Sequence, residues 1–213
     1  MTEPWRFGVE PLPEALEVAP LLRRVSGLVL SLESSDPAVT KLLADLRDAE
    51  AALERVAPRA IAPRIGDDPP ADGRAYIDHS RDIGAFNPCF PEYSIAVDGE
   101  RATGTVTFPV AFEGPPGVVH GGVLATFFDS AIQHHHCDVG VAGKTTSLLV
   151  EYKRPTPVGV ELTFTIEREA GERRLTSRAT LQHDGATLCL ATMEAVAGDR
   201  GRLPAISPRR APS

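Results

Sequence analysis

Glu113-Gly114-Pro115-Pro116-Gly117-Val118-Val119-His120-Gly121-Gly122, followed by Asp129 nine positions after the histidine, is the stretch on which the reading of this chain turns. It joins a tight Pro/Gly turn to a His-Gly-Gly opening of an apolar helix, with one carboxylate inside that helix. Glycines at a helix start let a ligand approach bare backbone N–H groups, and the helix dipole favours negative charge there. Such a place suits a carbonyl oxygen that becomes an oxyanion during acyl transfer. An acidic residue within VLATFFDSAI is costly unless it has a partner or a task. Together these features predict a catalytic helix, spanning about residues 119–138.

Outward from that helix, the segments on both sides read as strands. Ala102, Gly104, Val106, Phe108, Val110 and Phe112 alternate with polar positions, so residues 102–112 are expected to be extended. Val160, Leu162, Phe164 and Ile166 repeat the pattern, as do Leu175, Ala179 and Leu181, and residues 187–196 form a more fully apolar run. Residues 93–98 and 145–152 complete the set. Strands with one apolar face and a helix apolar nearly all round pack most economically as an antiparallel sheet wrapped around one long central helix, an α+β fold over residues 75–198.

The flanks differ. Residues 1–57 read as an N-terminal helical segment. A first helix is expected from Pro20, with Leu21, Leu22, Val25, Leu28, Val29 and Leu32 on one face. A second is expected from the Ser35-Asp36-Pro37 cap to about Val56, with a seam of Val39, Leu42, Leu46, Ala49, Leu53 and Val56. The expected arrangement is a helical hairpin against the main domain or a partner subunit, with a lid over a pocket as the alternative. Residues 58–74 are proline-rich and charged, a linker, and residues 199–213 read as a disordered tail.

A formal charge of −7 argues against nucleic acid as the main partner, which would demand a clustered basic surface. Cys89, Cys137 and Cys189 are odd in number and widely spaced, so no disulfide framework is expected. The first 17 residues carry four glutamates and lack the pattern of a signal peptide, and no apolar run is long enough for a membrane span. The expected location is cytoplasmic.

These residues resemble the hotdog-fold thioesterase superfamily, specifically PaaI-like and Them-type acyl-CoA thioesterases. The resemblance covers about residues 80–198 and rests on Asn87-Pro88, EGPPGVVHGG at 113–122, Asp129, and TTSLLVEYKRPTPVG at 145–159. It implies a hotdog fold and hydrolysis of acyl-CoA with no metal or organic cofactor. Carried over by position, it implies that Gly122 donates its backbone N–H to the thioester carbonyl while His120 orients that site. Asp129 would be nucleophile or general base, and Thr145 would hold the attacking water or the carboxylate. Where the family often has Asn or Gln, this chain has Gly114, so no side-chain helper is assigned there.

Helix geometry adds a constraint to that assignment. Nine residues of unbroken helix advance about 13.5 Å and turn about 900°, leaving Asp129 on the face opposite His120. One thioester then needs His120 and Gly122 from one subunit and Asp129 from the other, so a homodimer is expected, alone or within a tetramer. Gly121 opens the same helix. Gln133 and His136, four and seven positions after Asp129, share its face and are expected to lend polarity to an acyl pocket, which would favour aromatic or oxygenated acyl groups, or to bond across the dimer. The competing reading is satisfied core histidines near the helix end, where a cation meets the dipole favourably. His134, His135 and His136 diverge by about 100° per residue, so no metal site is expected. Lys153 and Arg154 are candidates for coenzyme A phosphates, though strand alternation would let only one serve a given site. Two readings compete with hydrolysis: a non-catalytic acyl-CoA-binding module, and a hotdog dehydratase or hydratase, whose acid and base would be needed at the β-carbon.

Overall fold

The computed structural model describes residues 3–171 and 173–211. Its elements, in chain order, are α1 (Pro13–Leu30), α2 (Pro37–Val56), β1 (Ala60–Pro63), β2 (Gly73–Arg74), α3 (Ile83–Phe86), β3 (Tyr93–Asp98), β4 (Arg101–Thr107), α4 (Gly121–Asp138), β5 (Gly143–Tyr152), β6 (Glu161–Ala170), β7 (Arg174–His183) and β8 (Ala186–Ala197). Strands β3 to β8 form one antiparallel sheet in the order β3-β4-β6-β7-β8-β5. Period-two patterning is what places them there. On β6, Leu162, Phe164 and Ile166 are buried while Glu161, Thr163, Thr165 and Glu167 face out.

α4 lies across the concave face, packed on β5, β7 and β8. Its Phe127 is fully buried, with its ring centroid 5.4 Å from that of Phe108 and 5.3 Å from that of Phe164, both in edge-on geometry. Truncating such a core aromatic typically costs about 3–5 kcal/mol. This is the hotdog arrangement: a sheet curled around one helix. The strand expected at 102–112 ends at Thr107, because Pro109 cannot donate to the ladder and Val110–Phe112 tighten into a 3₁₀ turn.

The N-terminal helices depart from expectation. α1 starts at Pro13 and runs through Pro20, since Pro13 takes the first-turn position and Glu14 suits the dipole there. It packs on α3 and the 110–112 turn, burying Ala19 and Arg23. α1 and α2 do not pack into a hairpin, and α2 buries no residue. The 58–74 segment contributes the short parallel pair β1–β2. The C-terminal residues, expected to be disordered, run beside it as far as they are described. Gly66 N–H donates to Ala205 O at 2.7 Å and Ser207 N–H to Arg64 O at 3.0 Å. Trp5 forms a small satellite cluster with Cys137 and Ala142, and Arg200 stacks 5.0 Å over its ring. Among the described residues no helix is long and apolar enough to cross a membrane.

Candidate active site on the central helix

The turn before α4 is closed by its own backbone. Gly117 takes φ +75°, a left-handed conformation that disfavours other residues, and Glu113 Oε1 accepts its N–H at 2.5 Å. Gly114 N–H donates to Val118 O at 2.8 Å, and His120 N–H to Phe112 O at 2.9 Å. This frame sets His120 as the N-cap of α4, with Nδ1 accepting the Gly122 N–H at 3.0 Å. A neutral ring in that role carries its proton on Nε2. The Gly122 N–H, expected to face a thioester carbonyl, is thus engaged by His120. Gly121 N–H has no partner among the described residues, while Gly121 O accepts from the Tyr152 hydroxyl at 2.9 Å. A cavity of about 310 Å³ opens here, lined by Cys89, Phe90, Pro91, Phe112, Val123 and Thr126 with His120 and Gly122.

Two turns and a half along α4, three predicted residues meet. Thr145 Oγ1 donates to Asp129 Oδ1 at 2.8 Å, and Gln133 Nε2 donates to Thr145 Oγ1 at 2.9 Å. The hydroxyl has one proton, so accepting from Gln133 steers that proton onto the carboxylate. Asp129 is then a charge-assisted acceptor with Oδ1 held, and Oδ2 has no partner among the described residues. Thr145 adjoins a β-bulge: it pairs with Ala195, whereas Ser147 pairs with Glu194, leaving Thr146 as the extra residue. The half-buried Asp129 and the exposed Thr145 sit on the surface of the protomer, away from the cavity at His120.

The histidines separate from this group. His136, expected beside an acyl pocket, is fully buried and meets Ser177 Oγ on β7 at 2.7 Å. Its helix face is the one that packs inward near the α4 terminus. His135 Nε2 meets Gly99 O at 2.8 Å, and His134 Nδ1 meets the Tyr93 hydroxyl at 2.9 Å with Asp82 and Asp138 nearby. The three rings therefore point at three different elements. Burial lowers the pKa of all three, taking His136 down to about 3 with help from Arg168 and His135, while Asp82 and Asp138 partly oppose the shift at His134. Burial likewise lifts the Cys137 thiol to about 11.

Sequence reasoning missed how the cavity wall is held. Arg23 of α1, 6% exposed, donates to Gly84 O, to Asn87 O at 3.2 Å and to Glu92 Oε2 at 3.4 Å. One side chain so gathers both ends of the segment whose middle residues, Cys89 to Pro91, line the cavity. Gly84 is required because a Cβ there would lie 2.1 Å from Pro91 O. The only local signal was an arginine on the inner face of an amphipathic helix, and that spacing does not say what it grips. Lys153 and Arg154 also differ from the alternation argument. Both backbone N–H groups go to Leu188 O just beyond β5, and both side chains line one cavity of about 420 Å³ beside Gly121 and Tyr152. Lys153 is paired with Glu151 at 2.7 Å, and Arg154 has no side-chain partner among the described residues.

Residues 113–198 match the family model of the acyl-CoA thioesterase N-terminal domain. The acyl-coenzyme A thioesterase THEM4 of Xenopus laevis is 36% identical over 78 residues, covering 36% of this chain and 35% of that protein. The chain thus aligns with about a third of the length of the curated relative it matches. The crystal structure of the thioesterase superfamily protein RHA08564 overlays with a TM-score of 0.70 at 26% identity, covering 90% of this chain and 99% of the other. Coverage that wide extends beyond 75–198 into the N-terminal region. A hypothetical thioesterase from Streptococcus pneumoniae, solved with coenzyme A, overlays at 20% identity with a TM-score of 0.48 over 50% of this chain and 86% of its own. Sheet, central helix, His-Gly-Gly cap and sequence matches together make the chain similar to hotdog-fold thioesterases, with residues 113–198 the part that matches the acyl-CoA thioesterase family model.

Proposed function

We propose that the protein is an acyl-CoA thioesterase, hydrolysing an acyl-CoA thioester to a free carboxylic acid and coenzyme A across a homodimer interface. The observation that carries this reading is the Asp129 carboxylate, with one oxygen held by Thr145 and the other open, on the α4 face opposite the His-Gly-Gly cap. The thioester carbonyl takes the Gly122 N–H of one subunit by displacing the exposed His120 Nδ1, so a weak internal acceptor gives way to a developing oxyanion at the helix dipole. Asp129 of the other subunit attacks through Oδ2, or takes the proton of an attacking water there. Collapse of the tetrahedral intermediate expels the coenzyme A thiolate, a good leaving group because a thiol ionises at about pH 8.5. The general-base route releases the acid at that step, whereas the nucleophilic route leaves an acyl–Asp129 anhydride that water hydrolyses to the acid and the free carboxylate. Arg154 is the cation left free for coenzyme A phosphates in the cavity beside Gly121.

Release of free thiol from short, long and aromatic acyl-CoAs by wild type and Asp129→Asn tests the reading. Turnover that collapses in a folded Asp129→Asn dimer supports it. Bound acyl-CoA without turnover by the wild type would make the chain a binding module instead. A single turnover in ¹⁸O-water separates the two chemistries: label enters Asp129 only if its carboxylate is the nucleophile.

A further inference from the structure

In a chain of formal charge −7, positive charge gathers in one recess. A cavity of about 660 Å³ is lined by Arg59, Arg64, Arg74, Arg209 and Arg210, with Asp72 the one acidic side chain among its described lining residues. Segments far apart in sequence build it: the stretch after α2, the β1–β2 pair and the C-terminal residues. The bonds from Gly66 N–H to Ala205 O and from Ser207 N–H to Arg64 O seat the C-terminal segment and so carry Arg209 and Arg210 to the cavity. None of the five arginines is ion-paired among the described residues. What they do bond to is neutral. Arg64 Nη2 donates to Pro208 O at 2.7 Å, Arg74 Nε to Ile61 O at 2.8 Å, and Arg210 Nη2 to Ala71 O. Carbonyls fix the guanidinium planes but leave their charge uncompensated. Arg64 is the sharpest case: it is 9% exposed, and its Nε is buried without an acceptor. A cation taken out of water is costly unless an anion meets it.

We propose that this cavity binds a diphosphate group. Five guanidiniums less one carboxylate leave an excess of four positive charges, which two phosphates at roughly −2 each would neutralise. Planar guanidinium forks meet phosphate oxygens in pairs, and no lysine, a point charge, lines the cavity among the described residues. Leu12, Val56 and Ile77 supply an apolar wall on which the organic body of a nucleoside diphosphate could rest. The cavity shares no lining residue with those at His120 and Arg154, so the proposal is independent of the thioesterase reading.

Equilibrium dialysis of the full chain against radiolabelled ADP and inorganic pyrophosphate, with displacement by sulfate, tests this. Wild type is expected to bind a diphosphate below about 1 mM, and sulfate to bind at least about tenfold more weakly. Arg59→Glu with Arg209→Glu removes no side-chain bond among the described residues, so the unliganded urea midpoint should not move. That variant should bind about a hundredfold more weakly, and saturating ligand should raise the urea midpoint of wild type alone. ADP bound tenfold or more tightly than pyrophosphate would identify an organic diphosphate, and equal affinity the inorganic ion; both support diphosphate recognition. Arg154→Ala should retain the site that the double variant removes. Loss of all diphosphate binding in Arg154→Ala, with retention in Arg59→Glu/Arg209→Glu, would overturn the proposal by moving the ligand to the other cavity. Sulfate binding as tightly as either diphosphate would overturn it too, as would no binding of either by wild type.

Discussion

If the site is divided between subunits, two inactive chains must repair each other. His120 caps α4, and Asp129 lies nine residues on in the same unbroken helix, about 13.5 Å away along the axis and half a turn round. Asp129→Asn removes the open carboxylate oxygen from every site, and homodimers of this variant should lose about a hundredfold or more in kcat. His120→Ala removes the cap that orders the first turn of α4 until the carbonyl displaces it from the Gly122 N–H; losing that order is expected to outweigh losing a competing acceptor, with a loss of about tenfold or more. Co-expression with two affinity tags, followed by purification on both, isolates the heterodimer. In it, one site draws wild-type His120 from one chain and wild-type Asp129 from the other, while the second site carries both defects. Two-fold symmetry then predicts about half the wild-type kcat per dimer, with an unchanged KM. A site contained in one subunit would leave every site of the heterodimer defective. Purified heterodimer no more active than its parents would therefore refute the shared site.

Three further outcomes follow from particular contacts. Thr145→Val removes the hydroxyl that fixes Asp129 Oδ1; a hydrogen bond to a charged group contributes about 1.5–3 kcal/mol, so kcat should fall about 10- to 100-fold with little change in KM. The double variant with Asp129→Asn should be no worse than Asp129→Asn alone, as steady-state kinetics would show. Arg23→Met leaves Gly84 O, Asn87 O and Glu92 without their shared donor and should cost about 2 kcal/mol in urea unfolding. It should also change the ratio of kcat/KM between compact and long acyl groups, and Arg23→Lys should not restore it, because an ammonium cannot span three acceptors. The buried histidines fix the acid limit. Their pKa values are lowered on folding, so the unfolded chain takes up protons first as pH falls. Stability is then flat above about pH 6.5 and falls below it, with His136 alone contributing about 1.4 kcal/mol per pH unit down to about pH 3 and His134 and His135 acting in the same direction. Urea midpoints between pH 8 and 5 should show a shallower decline in His136→Gln; an identical slope would remove His136 from the account.

Much of the fold was legible along the chain because it depends on local period. Alternation in β6 and β7 fixed which side chains go inward, and an apolar run opened by His-Gly-Gly marked the central helix. The pairing of Asp129 with Thr145 was legible only as a resemblance, since 16 positions separate them and a β-bulge aims the threonine. His136 was misplaced for a related reason. Helical spacing shows that it shares a face with Asp129 but not that the face turns inward over two further turns, to meet Ser177 on β7.

By itself the sequence determined the elements that short-range physics controls: the capped helices, the alternating strands, the Gly117 turn and the expensive carboxylate in α4. The tertiary structure decided what long-range contacts control: that Gly122 N–H is held by His120, that Arg23 reaches across from α1 to hold the cavity wall, and that α2 buries none of its residues among those described. Periodicity fixes which face of an element is apolar. Which surface meets that face depends on contacts between residues far apart in sequence, and no local pattern encodes them.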